Sequence, residues 1–369
     1  MAMGLVFWAE CLGMEIWQTS GLALNRFREV EGQPVKNDER DAYLLARMGR
    51  LGAQRCRLAM QASDEEQCLY RLTRYRERMV QDRTRAYGQL RSILVELCPD
   101  YLNTEGMCPL KSATTLAVLS QWPGLEGLQR ASVRKITECV SQASRGRYRE
   151  ALARRLKAVA ASITWPKSLR KVFTQELTHC VEAIKRCIQK VSAVEAELTR
   201  LVDAHPAGPS LLSIPGHGLI TVATLLGEWA PLARVATEAG CATYGGVTPV
   251  SRESGKGKGH CKKAQNVNKR VLNALFKGAM ASLRTSDMDR RYYQRKRADY
   301  AGHPFPHIAA VLALARQRHK LVYRLFHTGE NYDPERLQKS TERRQRGLSP
   351  LGVTSVGLRP PSVTPNTAR

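Results

Sequence analysis

Residues 211–229 read LLSIPGHGLITVATLLGEW, and residues 241–271 read CATYGGVTPVSRESGKGKGHCKKAQNVNKRV. Two signals stand side by side in this stretch. The first is the turn Pro215-Gly216-His217-Gly218, followed by an apolar run with small residues, the shape of a helix-hairpin-helix turn. Gly216 and Gly218 admit a positive φ and a close approach of backbone to a phosphate. The unpaired amides that open the next helix suit an anion. The second signal is Ser254 in the run Ser254-Gly255-Lys256-Gly257-Lys258-Gly259. A hydroxyl among flexible amides and cations has the surroundings to attack a phosphodiester while the developing charge is stabilised. Taken alone, a PGxG turn also simply joins two helices, and a Ser-Gly step in a lysine-rich stretch is also a solvated loop. The pair is more specific than either half.

Working outward, the stretch resembles the C-terminal domain of insertion-sequence transposases that combine an N-terminal DEDD domain with a C-terminal catalytic serine. This is the insertion-sequence one-hundred-and-ten family, whose better-studied members are guided by a bridge RNA. The matching elements are Ile214-Pro215-Gly216 through Leu226, Tyr244-Gly245-Gly246 with Pro249, Ser254-Gly255, and Asn268-Lys269-Arg270, and the resemblance resumes at His307 to Tyr332. It implies that Ser254 attacks a DNA phosphate and forms a covalent phosphoserine link. Environment also favours Ser254 over its neighbours. Thr248 precedes a proline, which biases it to extended backbone, and Ser251 has Arg252 and Glu253 beyond it rather than glycine. Lys256, Lys258, Lys262 and Lys263 supply flexible point charges for a phosphate, and Lys269 and Arg270 open the following helix.

The N-terminal side carries a second match. Lys36-Asn37-Asp38-Glu39-Arg40-Asp41-Ala42 begins a helix, with acids in its first turn. Asp38 and Asp41 are three apart and share a face. Two carboxylates on one face are hard oxygen ligands for Mg²⁺; they are equally an N-terminal cap and a partner of the helix dipole. In the resembling family a KTDxxDA segment supplies the last two acids of the DEDD set, and here it stands as KNDERDA, so the resemblance implies Mg²⁺ at Asp38 and Asp41. The family's first Asp and its Glu have no counterpart: Glu10 and Glu15 are the only earlier acids apart from those just before the motif, and neither sits in a matching context. The sequence therefore predicts an incomplete RNase H-like domain.

Composition agrees with a nucleic-acid partner. The 369 residues carry 58 Lys plus Arg against 33 Asp plus Glu, a net charge of +25. Such an imbalance repels itself unless a polyanion neutralises it. No apolar run approaches the length that spans a bilayer, and no signal peptide is evident. The ten cysteines show no CxxC spacing, which fits reduced thiols in a cytosolic, nucleoid-associated protein. Gly255-Lys256 lacks the upstream glycine of a Walker A motif, so ATP use is not indicated.

Periodicity supplies the rest. Apolar residues recur at helical spacing from Asp64 to Leu97, where Cys98-Pro99 stops the pattern, and from about Ser168 to Asp203. The second stripe is close to a heptad, interrupted at Glu195. The two helices pair as an antiparallel coiled-coil arm or belong to an ordinary bundle. Ser112 to Leu125, Ala131 to Arg155, Asn266 to Leu283 and Ile308 to Phe326 read as further helices.

The predicted fold is mainly α: a remnant RNase H-like domain over 1–63, a helical coiled-coil arm and linker over 64–204, a helical C-terminal domain over 205–335 with a helix-hairpin-helix turn and serine loop, and a disordered basic tail over 336–369. The predicted function is DNA transposition or recombination, RNA-guided, by a homo-oligomer without membrane contact. The competing expectation is a catalytically defective nucleic-acid-binding relic.

Overall fold

A computed structural model describes residues 8–9, 11–14, 16–32, 37–51, 57–58, 62–233, 237–248, 250–252, 260–262 and 267–335. Among them the chain is mainly helical, with two two-stranded antiparallel sheets. The tail expected after residue 335 lies outside the described residues.

The N-terminal segment contains β1 (Trp17–Gln18), α1 (Gly21–Val30), α2 (Asp38–Arg50) and β2 (Arg57–Leu58). Ser20 caps α1, its hydroxyl accepting from the Ala23 N–H at 3.1 Å, and Asn37 caps α2 by accepting from the Arg40 N–H at 2.8 Å. The two helices pack together, burying Leu44 and Met48. β1 and β2 pair in the register Trp17↔Leu58, Gln18↔Arg57.

Two long helices dominate the middle of the chain: α3 (Asp64–Leu97) and, later, α9 (Lys167–Ala204). α3 starts where a capping box forms: Ser63 Oγ accepts from the Glu66 N–H at 3.3 Å, and Glu66 Oε2 accepts from the Ser63 N–H at 2.9 Å. At 1.5 Å per residue its 34 residues span about 50 Å. The helices run antiparallel. Leu69, near the start of α3, shares a core with Val194, Leu198, Leu201 and Val202 of α9, whereas Ala86, Leu90, Leu94 and Leu97 share another with Leu177, Val181 and Ile184. Between those two sets no side chain of α3 from 74 to 85, and none of α9 from 185 to 190, is buried. The pair is therefore a stalk joining two bodies. Glu195, the break in the heptad, has its reason where the head core gives way to the waist: Arg76 Nε donates to Glu195 Oε1 at 2.7 Å.

The distal body consists of α4 (Asp100–Asn103), α5 (Ala113–Gln121), α6 (Glu126–Arg130), α7 (Val133–Ser144) and α8 (Glu150–Ala161) around the far end of the stalk. Its core includes Leu119, Leu128, Ile136, Val140, Leu152 and Leu156, each at most 2% exposed. Burying each such side chain contributes roughly 1.5–3 kcal/mol before the entropy of ordering. By pattern alone residues 131–155 make one helix. The structure divides them at Arg145 and Gly146, both at positive φ (54° and 84°), with the Gly146 N–H returning to the Ser141 carbonyl at 2.8 Å. That is a C-terminal cap closing α7.

The head, at the near end, contains α10 (Gly208–Leu212), α11 (Leu219–Ala233), α12 (Glu238–Tyr244), β3 (Val250–Arg252), β4 (His260–Lys262), α13 (Lys269–Thr285), α14 (Asp287–Asp299) and α15 (Pro306–Thr328). Trp229 stands at its centre, 1% exposed, with the rings of His319, Tyr323 and Phe326 edge-on at 5.5, 5.9 and 5.6 Å. The sequence predicts helices alone for this domain. β3 and β4 instead form a hairpin stem, in the register Val250↔Lys262, Ser251↔Cys261, Arg252↔His260.

Candidate active site and nucleic-acid interface

The head brings the Gly216 turn and the root of the serine-bearing hairpin onto one core. Gly216 has the positive φ expected of it, 82°. The close approach it permits is to protein: a Cβ there would lie 2.5 Å from both the Gly278 carbonyl oxygen and the Ser282 amide nitrogen of α13. Gly218 departs from expectation. Its φ is not among the positive ones, and a Cβ on it would meet open space. It is exposed, and its carbonyl accepts the first bond of α11, from the Val222 N–H at 3.1 Å. The turn thus locks onto α13 through Gly216 and presents the amide end of α11 at Gly218.

His217 fastens the turn from inside. Its ring lies over Gly278, where a Cβ would meet Cε1 at 3.0 Å. Arg318 of α15 donates to the Pro215 carbonyl, to Asp289 of α14, and at 3.2 Å to His217 Nδ1. A histidine that accepts from arginine must be neutral at that nitrogen. Burial, and then the Arg318 charge, hold His217 down at about 3, against the Pro215 backbone hydrogen bond, which works the other way. His217 is therefore a structural wedge at neutral pH, not a proton donor.

At the hairpin root the chain leaves α12 at Tyr244 and returns at Asn268. The Asn268 N–H donates to the Tyr244 carbonyl at 2.8 Å, and Asn268 Nδ2 donates to Tyr244 Oη at 2.8 Å and to Glu228 Oε2 at 3.0 Å. Asn268 Oδ1 caps α13, accepting from the Arg270 and Val271 amides at 3.0 and 3.2 Å. Glu228, on α11, is also gripped by Arg74 of the stalk, Nε at 2.7 Å and Nη2 at 2.9 Å. The Arg74 guanidinium stacks 3.9 Å from the Tyr70 ring centre. Beside it Gly227 admits the stalk backbone: a Cβ there would lie 2.5 Å from the Tyr70 nitrogen. Burial pushes the Tyr244 hydroxyl above the ordinary range, against the Asn268 hydrogen bond. The Tyr244 hydroxyl accepts from Asn268 and is held protonated by its burial.

The residues named from sequence fall unevenly on this frame. Ser254, Lys256, Lys258 and Lys263 lie outside the described residues; Lys262 is in β4 with only its strand position described. Lys269 is exposed at the start of α13. Arg270 is not a free cation: its Nη2 lies 2.5 Å from Glu77 Oε2 and its Nε 3.7 Å from Glu228 Oε1. Asp38 and Asp41 sit on the first turn of α2; Asp38 is exposed, whereas Asp41 forms an ion pair with buried Arg28. Arg28 Nη1 also donates to Asn25 Oδ1 at 2.7 Å. Among the described residues no group of three or more His, Cys, Asp or Glu is placed to hold a metal ion. Asp41 already has its counter-charge, so the described residues do not fit a Mg²⁺ site. Sequence reasoning missed Arg74, Glu228 and the donor role of Asn268. Only the cap was readable, as an Asn just before a basic helix start.

Residues 209–294 match the transposase IS116/IS110/IS902 family, and residues 2–99 match the transposase family of the DEDD type named for IS110. Both matches are to insertion-element transposase domains, one in the N-terminal and one in the C-terminal half of the chain. The insertion element IS110 uncharacterized 43.6 kDa protein of Streptomyces coelicolor is 26% identical over 326 residues, covering 87% of this chain and 78% of the relative. The insertion element IS900 uncharacterized 42 kDa protein of Mycobacterium paratuberculosis is 29% identical over 319 residues, covering 81% and 73%. The mini-circle putative transposase for IS117 of Streptomyces coelicolor is 25% identical over 342 residues, covering 87% and 78%. The DEDD family suggests use of a divalent metal. No helix among the described residues is long and apolar enough to cross a membrane.

Proposed function

We propose that this transposase breaks and joins DNA through Ser254. The observation that carries the reading is the hairpin root: the stretch holding the serine leaves and re-enters the head at two hydrogen-bonded residues, Tyr244 and Asn268, which are tied to Glu228 of α11. In the proposed step Ser254 Oγ forms a bond to a DNA phosphorus, the bond from that phosphorus to one sugar oxygen breaks, the hydroxyl proton passes to a base or solvent, and the leaving sugar oxygen takes up a proton. One phosphodiester replaces another, so no nucleotide triphosphate is needed. Lys256, Lys258, Lys262 and Lys263 would hold the phosphate and offset its developing charge. Gly216 sets the turn and Gly218 exposes the helix-opening amides to the backbone of the nucleic acid, and Lys269, exposed at the start of α13, adds a cation.

Guidance by an RNA, assembly with a second copy and residence with the nucleoid in the cytoplasm complete this reading; the bridge-RNA resemblance and the +25 charge support them. Mg²⁺ at Asp38 and Asp41 is what the family implies, but the proposed step does not run through it, because Arg28 occupies Asp41. The Arg28–Asp41 pair favours a second reading, a nucleic-acid-binding relic defective in strand transfer.

The test is movement of the chain's own insertion element from a plasmid that carries it with its native flanks. The serine reading expects Ser254→Ala to abolish joined-end products while binding of an element-end duplex is kept, and Lys262→Ala to weaken binding. Binding should fall steeply with salt, as phosphate contacts require. An unaltered chain that binds the duplex and yields no products supports the relic. Products that need a divalent metal and are lost on Asp38→Ala, which leaves the Arg28–Asp41 pair in place, show that other acids complete a metal site.

A further inference from the structure

Glu228 is a junction. It is buried on α11, yet three groups distant in sequence meet it: Arg74 of α3 with both oxygens, Asn268 at the start of α13, and the Arg270 guanidinium at 3.7 Å. Asn268 spends its whole side chain in this neighbourhood. Its oxygen caps α13, and its amide hydrogens go to Glu228 and to Tyr244 Oη. The cap alone would be served by Ser, Thr or Asp. The two donated bonds require an amide. They tie the outgoing and returning ends of the hairpin to each other and, through Glu228 and Arg74, to the stalk. The stalk is itself seated against α11 at the Gly227–Tyr70 backbone contact.

We infer that Asn268 is a positioning residue for strand transfer: with Tyr244 and the Arg74–Glu228 pair it forms a clasp that fixes the root of the serine-bearing hairpin relative to the stalk. This inference rests on the Ser254 reading. Charge does not explain the arrangement, because Asn268 is neutral and Glu228 is already matched by Arg74. Fold alone does not explain it either, because a lesser cap would start α13. A fixed root limits the arc through which a nucleophile ten residues from Tyr244 and fourteen from Asn268 can swing. Misplacement of a reacting atom by about 1 Å costs on the order of 100-fold in rate.

The experiment uses the full chain and its own element on a plasmid, with trapping of the covalent protein–DNA adduct and a gel-shift titration on an element-end duplex. Asn268→Ser keeps a capping oxygen and loses both donors. Tyr244→Phe deletes one hydroxyl and nothing else, and serves if Asn268→Ser fails to fold. The clasp predicts that adduct formation at saturating DNA slows by at least about tenfold in each folded variant, while the duplex Kd and the thermal midpoint stay near those of the unaltered chain. An undiminished adduct rate in a folded Asn268→Ser or Tyr244→Phe protein overturns the clasp. So does a loss of rate that merely follows a loss of binding or of thermal stability. Ser254→Ala run in parallel separates the two ideas: an adduct that survives Ser254→Ala sinks the serine reading, whereas an adduct that needs Ser254 but ignores Asn268 and Tyr244 sinks the clasp alone.

Discussion

At one end of the stalk, the core around Trp229 encloses Glu66, His205, His217, Glu228, Asp289, Arg318 and His319; at the other, the core around Leu119 and Leu156 encloses Thr114 and Thr115 and, among the described residues, no Asp, Glu, His, Lys or Arg. Both cores are built from helices, and both are closed by the same two long ones. The buried charges of the head do not by themselves make it more stable, since desolvation offsets most of an ion pair's attraction. What they supply is direction. Arg74 reaches Glu228 across 154 residues of sequence, and Arg318 reaches Pro215 across 103, each at defined atoms. An apolar core fixes volume; a charge pair fixes which atom meets which. The Gly216 turn and the hairpin root sit on the body that has the second kind of order.

The sharpest way to break the comparison is Arg318→Met. It leaves Asp289 buried without its counter-charge, which costs about 3–5 kcal/mol, and frees the Pro215 carbonyl. Hydrogen exchange read peptide by peptide should show the loss confined to the head, with peptides over 113–161 unchanged. Leu119→Ala is the mirror experiment, about 3 kcal/mol from lost transfer and the cavity left behind. It should loosen the distal body and leave the head's exchange and DNA binding intact.

Acid sharpens the contrast without mutation. His217 is held at about 3 when folded, by burial first and then by Arg318; unfolded it titrates near 6.5. The unfolded chain therefore binds the extra proton, so the stability that neutral His217 allows is present above about pH 6.5 and is lost as pH falls toward 3. From pH 7 to pH 5 the head should lose about 2 kcal/mol from this source, and His217→Gln should flatten that slope. A head as indifferent to this change as the distal body would contradict the wedge assigned to His217. Where the head core gives way to the waist the effect is smallest: Glu195→Ala removes a half-exposed pair with Arg76 and should shift the thermal midpoint by less than about 1 kcal/mol equivalent.

Much of this was legible in the sequence, unevenly. The helix from Asp64 to Leu97 could be read to both ends, because Ser63 caps it, its apolar spacing holds, and Cys98-Pro99 stops it. The stalk was legible as a pair of stripes, but not as a bridge between two bodies, since periodicity does not say what lies at each end. At the break Gly146 was the one visible signal, and Arg145 beside it, a non-glycine residue that also takes a left-handed conformation, gave none. The β3–β4 stem was hidden because three-residue strands carry too few alternations to register. Gly216 is the positive-φ residue its turn demands, but with a different neighbour, since a glycine that admits α13 and one that admits a phosphate look alike in sequence. The spacing of Asp38 and Asp41 cannot show that Arg28 reaches Asp41 from the preceding helix. Arg270 shows the same limit: its charge was visible, but its partner Glu77 on the stalk was not.

The most direct measurement is the chemical identity of the attached residue. The full chain is expressed with its own element, the covalent protein–DNA adduct is trapped and digested with protease and nuclease, and the nucleotide-bearing peptide is sequenced by mass spectrometry. The serine reading predicts the nucleotide on Ser254, within the peptide that joins β3 to β4, and no adduct from Ser254→Ala. A nucleotide on Ser251 or Tyr244, or an adduct undiminished in Ser254→Ala, contradicts it.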